Sequence, residues 1–71
     1  MSIIAKRETG ENKLDYLVIY DENNTILAQS TQGVGDEYDI DLWYDGLHYF
    51  VDAHGIVMIT LDSINKKFGK S

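Results

Sequence analysis

The chain has 71 residues, of which 44% are hydrophobic and 25% are charged, and its net charge is −6. This length excludes a second domain of ordinary size, and the composition is too apolar for a disordered tail. The absence of cysteine excludes disulfides and a thiolate zinc site, so we expect one small domain over residues 1–71, with modest stability.

Charges are distributed unevenly along the sequence. All six cations lie towards the ends, at Lys6, Arg7, Lys13, Lys66, Lys67 and Lys70, whereas every acidic residue except Glu8 and Glu11 falls between them. Nucleic-acid affinity depends on basic side chains, so we expect no direct nucleic-acid binding. The sequence also lacks a basic segment followed by a long apolar run, which favours a soluble, cytoplasmic protein without membrane contact.

The first half of the chain predicts three strands. Residues 2–8 are a strand candidate, followed by the turn sequence Thr9-Gly10-Glu11-Asn12. Residues 14–20 carry aromatic and β-branched side chains on both faces of a pleat, which predicts the central, most buried strand. The polar residues 21–24 then favour a hairpin with residues 25–30.

The second half predicts three more strands. Residues 30–37 are polar with interspersed glycines, as in a flexible loop. Residues 38–44 alternate between apolar and polar side chains, which predicts a strand with one solvent-exposed face. Trp43 is the one apolar residue on that exposed face. Asp45-Gly46 marks a tight turn, after which residues 47–51 should pair with residues 56–61.

A change of pattern after Leu61 predicts a short C-terminal helix. Ile64 and Phe68 are four residues apart, lysines precede Gly69, and the competing interpretation is a frayed tail. The fold expected from the whole sequence is mainly β (α+β): a small antiparallel meander sheet or barrel of five to six strands with this helix.

The strongest candidate site is acidic. Residues two apart on a strand share a face, so carboxylates should form a row about 7 Å apart, near the spacing of phosphates along one nucleic-acid strand. An exposed tryptophan among them would supply an apolar anchor. The predicted partner-binding residues are Asp36, Glu37, Asp39, Asp41, Trp43 and Asp45. The alternative is a solvated face that keeps an acidic protein soluble.

Other motifs in the sequence are weaker. His48, Asp52 and His54 could form a two-histidine, one-carboxylate metal site, but their spacing belongs to no strong motif. The sequence Gly33-Val34-Gly35 lacks the lysine or third glycine of a phosphate loop, and no nucleophile lies in a recognisable catalytic turn. We therefore expect no metal, no cofactor and no enzyme activity.

These features predict a non-catalytic acidic module that binds a protein partner with a basic surface. A nucleic-acid mimic of phage or mobile-element type, such as an anti-restriction or anti-CRISPR inhibitor of a nucleic-acid enzyme, would suit this size and charge. The alternative is a small structural or assembly subunit that forms a homo-oligomer through a sheet edge or an apolar patch.

Overall fold

The structure, a computed structural model, describes residues 2–61 of the chain. Six strands in this range form two three-stranded antiparallel sheets. The first sheet contains β1 (Ile4–Thr9), β2 (Asp15–Tyr20) and β3 (Ile26–Gln29), and the second contains β4 (Ile40–Tyr44), β5 (Leu47–Val51) and β6 (Val57–Leu61). Within residues 2–61 each strand pairs only with its sequence neighbours, so both sheets are meanders.

This architecture confirms the mainly β, antiparallel class and corrects the expectation of one sheet or barrel. The predicted C-terminal helix falls beyond Leu61, outside the described residues. Within residues 2–61 no segment is helical, so none is a helix long and apolar enough to cross a membrane.

The segment between the sheets explains the division, because it is bonded to β2. Ser30 is buried; its N–H donates to the Leu17 carbonyl (2.9 Å), and its Oγ accepts from the Leu17 N–H (3.0 Å). Val34 then exchanges two backbone hydrogen bonds with Asp15, at 2.7 and 3.0 Å. The chain therefore runs beside the start of β2 before it enters the second sheet. The expectation of a flexible loop over residues 30–37 is corrected, because hydrogen bonds hold this segment to β2.

Gly33 permits this close approach. A Cβ atom at this position would lie 2.6 Å from the Leu14 Cβ and 2.8 Å from the Tyr16 Cζ. Contacts this short require the neighbouring chain to move, so a residue without a side chain is needed here.

The two sheets share one core. Leu17 and Ile19 of β2 pack with Ile40 of β4 and with Tyr49 and Val51 of β5, and none of the five is more than 4% exposed. Burial raises the pKa of the Tyr49 phenol. Four of the six residues of β2 are buried, which makes it the most buried strand, as the sequence predicts.

One of the N-terminal cations lies inside the structure. The Arg7 side chain is 8% exposed; its Nε donates to Asp15 Oδ2 (2.7 Å), and its terminal nitrogens donate to the carbonyls of Gly35 (3.0 Å) and Asp52 (3.1 Å). A hydrogen bond from the Thr9 hydroxyl and the ion pair with Arg7 lower the pKa of Asp15. The guanidinium thereby joins β1 and β2 to the linking segment and to the turn before β6.

Candidate functional site

The six residues predicted to bind a partner are all exposed: Asp36, Glu37, Asp39, Asp41, Trp43 and Asp45. The first three precede β4, the next two lie within it, and the last begins the turn to β5. β4 therefore contains two of the six residues, whereas the predicted strand over residues 38–44 would contain three.

Trp43 is held on the outer face of the second sheet by an aromatic neighbour. The register places it opposite His48 of β5, and the two rings stack with centroids 4.4 Å apart and planes 15° apart. The indole is nevertheless 56% exposed. Stacking covers one side of the ring, which leaves the other side available to a partner.

Asp41 projects to the same outer face as Trp43, because the two are separated by one residue of the strand. Its Oδ1 lies 3.4 Å from His48 Nε2. Opposite Asp41 lies Phe50 of β5, and beyond it Met58 of β6, which is 56% exposed. The face thus combines a carboxylate with aromatic and thioether surface.

The Nε2 atom of His48 is buried and has no hydrogen-bond partner within the described residues. An unpaired polar atom costs free energy unless another group satisfies it. Its position beside Asp41 and beneath the indole of Trp43 makes His48 part of the candidate site. This role of His48 is not among the sequence-based predictions, although the two-residue turn after Tyr44 implies the register that pairs Trp43 with His48.

The three residues His48, Asp52 and His54, which the sequence offers only as a weak metal-site candidate, have other roles in the structure. The Asp52 carboxylate accepts the backbone N–H groups of His54 and Ile56, each at 2.9 Å. The hydrogen bond from Ile56 is the largest cause of its lowered pKa. Asp52 therefore stabilises its turn, and the described part of the chain holds no cluster of three or more histidines and carboxylates suited to a metal ion.

A groove of about 460 Å³ runs along the edge of β4. Five consecutive residues, 39–43, line one wall, and the end of β3 with the following residues, 29–32, lines the other. Successive residues of a strand point to opposite faces, and residues 40–43 of β4 all line the groove, so the groove follows the edge of this strand. The described residues that line it include carboxylates, amides and hydroxyls, and none of them is basic.

Asp45 belongs to a different part of the surface. It and Gly46 both have positive φ, 52° and 77°, as in a type I′ turn, which confirms the tight turn that the sequence predicts here. Asp45 lines a cavity of about 320 Å³ together with Asp21 and Glu22 of the first sheet's second turn. The six predicted site residues are therefore divided: Asp39, Asp41 and Trp43 line the β4 groove, whereas Asp36, Glu37 and Asp45 do not.

Comparison of the chain with protein-family models, curated proteins and solved structures gave no match.

Proposed function

We propose that this chain is a non-catalytic protein-binding module whose residues Asp39, Asp41 and Trp43 meet a basic surface of a protein partner. The observation that carries the proposal is an exposed tryptophan, backed by a stacked histidine, beside exposed carboxylates on a groove that no basic residue among residues 2–61 lines. Tryptophan is enriched among residues that dominate binding energy, and complementary charge steers partners together.

The charge distribution favours a partner that ordinarily binds nucleic acid. Residues 14–61 contain no lysine or arginine, and Arg7 is enclosed by its own ion pair. Asp39 and Asp41 are two residues apart in sequence, an interval of about 7 Å in extended chain, close to the spacing of phosphates. The proposed role is inhibition of a cytoplasmic nucleic-acid enzyme by a mimic of phage or mobile-element type.

Reversing two of these charges should abolish binding without unfolding the protein. We expect the double variant Asp39→Lys/Asp41→Lys to lose its partner, because two attractive contacts become repulsive ones. Both side chains are exposed, so the fold should be unaffected. Asp45 is left unchanged because its positive φ disfavours substitution. The measurement is capture of the partner from host lysate, followed by calorimetric titration of the purified pair.

The matched control is Glu11→Lys/Glu22→Lys, which changes the net charge by the same amount at exposed positions away from the groove. This control should keep the partner at low salt. If both double variants lose the partner equally, binding depends on total charge and not on this site. If both keep the partner equally, the proposal is wrong.

A second candidate function, self-association, is favoured by β6. Residues 55–61 contain no ionisable side chain, and Ile56, Met58, Ile59 and Leu61 are between 49% and 60% exposed. Within residues 2–61 the strand pairs on one side only, with β5. An uncharged apolar edge is a surface on which two acidic copies can meet without opposing carboxylates.

Self-association through β6 predicts a mass that rises with concentration and persists in high salt, since salt screens charge but not apolar contacts. Ile59→Lys should then give a monomer in multi-angle light scattering. The control Ile26→Lys, on the first sheet at a position 53% exposed, should not change the mass. A wild-type protein that stays monomeric at millimolar concentration would exclude this function.

A further inference from the structure

β4 is an edge strand whose free side borders the groove. Among residues 2–61 it forms a ladder with β5 alone. The groove lies between this edge and the end of β3, and it extends over all but the last residue of the strand. A free edge presents a row of unpaired N–H and C=O groups to which an extended chain can bond.

The register identifies which backbone groups point into the groove. Tyr44 and Leu47 close the two-residue turn as a hydrogen-bonded pair. Because such pairs alternate along an antiparallel ladder, Leu42 also bonds to β5, whereas Asp41 and Trp43 occupy the positions between. The N–H and C=O groups of Asp41 and Trp43 therefore point away from β5, towards the free edge.

The same two residues determine which side chains an added strand should carry. Side chains directly opposite one another on paired strands have Cβ atoms about 4.5–5.5 Å apart. A lysine or arginine opposite Asp41 would form an ion pair, and one near Trp43 could stack on the open side of the indole. Since alternate residues of an extended segment share a face, the matching segment has a basic residue at every second position.

A second copy of this chain does not meet these requirements. Pairing β4 with another β4 would bring the carboxylates of two acidic strands together, and like charges opposite one another are destabilising. The Asp41 carboxylate thus disfavours self-pairing at the same edge at which it attracts a basic strand.

We propose, on the basis of the binding function above, that the partner contributes an extended segment with alternating basic residues, which adds to the β4 edge as a fourth strand of the second sheet. The contact then consists of backbone hydrogen bonds to Asp41 and Trp43, with the basic side chains over the outer face.

The probe is a short capped peptide that alternates arginine with threonine, compared with a peptide of the same composition in which the arginines are consecutive. Binding is followed by the fluorescence of Trp43, the one tryptophan of the chain. We expect the alternating peptide to bind more tightly. We also expect its binding to slow hydrogen exchange at the Asp41 and Trp43 amides, measured by NMR, while the Leu42 amide is already protected without it.

A matched pair of variants separates the contribution of the Asp41 backbone hydrogen bond from that of its carboxylate. Asp41→Asn removes the carboxylate and keeps the N–H, whereas Asp41→Pro removes both; proline is tolerated on an edge strand where the N–H faces away from the ladder. Loss of one hydrogen bond should make Asp41→Pro roughly five-fold weaker than Asp41→Asn in binding the alternating peptide. The amide-exchange measurement needs no variant, so it decides the question even if Asp41→Pro does not fold.

The strand-addition proposal is overturned if the alternating peptide fails to bind, or if it binds while the exchange of the Asp41 and Trp43 amides is unchanged. In the second case the proposed function survives, with contact through side chains alone. Failure of the proposed function has a different signature, which is unchanged capture of the native partner by Asp39→Lys/Asp41→Lys.

Discussion

Replacement of Arg7 by methionine should leave about half of the protein or more unfolded at 25 °C. The substitution leaves the Asp15 carboxylate, whose side chain is 8% exposed, without its cationic partner. It also removes the hydrogen-bond donors to the Gly35 and Asp52 carbonyls. Removing one partner of a buried ion pair costs roughly 3–5 kcal/mol. That loss equals the whole stability, about 3–5 kcal/mol, that a core of this size supplies.

The measurement is urea unfolding followed by circular dichroism, and Lys6→Met is the matched control. Lys6 is the exposed neighbour of Arg7 in β1, and its ammonium lies 5.3 Å from the centroid of the Tyr20 ring. Loss of an exposed contact of this kind costs about 0.5–1 kcal/mol. An Arg7→Met protein that unfolds at the same urea concentration as Lys6→Met would contradict the role assigned to the buried guanidinium.

The pH dependence of stability provides a second readout of the same pair. The pKa of Asp15 in the folded protein lies below its ordinary value of 3.8, so its ionised form stabilises the fold above pH 3.8. That contribution is lost as the pH falls through the lowered pKa. The double variant Arg7→Met/Asp15→Leu should regain stability at neutral pH and lose this part of the acid sensitivity, because neither charge remains buried.

Replacement of Trp43 by alanine should weaken partner binding by at least about 30-fold, or about 2 kcal/mol, the range of dominant interface residues. The indole is 56% exposed and its covered side contacts His48, so its removal takes away apolar surface that a partner could bury. The measurement is titration calorimetry with the purified partner.

The matched control for Trp43→Ala is Ile26→Ala, which removes an apolar side chain of similar exposure, 53%, from the first sheet. We expect this variant to bind as the wild type does, and both variants to keep the wild-type thermal midpoint within a few degrees, as exposed positions do. Similar affinities for the two variants would show that Trp43 is not the centre of the interface.

Local patterns predicted the strands well but could not predict how they divide into sheets. The apolar faces of β2 and the Asp45-Gly46 turn are properties of adjacent residues, and both are confirmed. The separation into two sheets depends on hydrogen bonds between residues far apart in sequence, such as those of Val34 with Asp15. No periodicity within a single segment contains that information.

The candidate site could also be predicted only as far as local sequence patterns allow. The exposure of Asp41 and Trp43 follows from alternation along one strand, whereas the neighbours of each residue depend on register and packing. The contacts of His48 with Trp43 and Asp41 depend on pairing across the hairpin, and packing places Asp45 near Asp21 and not beside Asp39. The burial of Arg7 is likewise not predictable from its place near the N-terminus, because burial of a charge depends on partners that sequence order does not reveal.

The most direct test of the binding account uses the single tryptophan of the chain. Protein labelled with 5-fluorotryptophan gives one fluorine NMR resonance, which comes from position 43. We predict that this resonance shifts or broadens on addition of the partner captured from host lysate, and returns to its free position when salt releases that partner. A resonance that stays at the free position while the partner is bound would contradict the account.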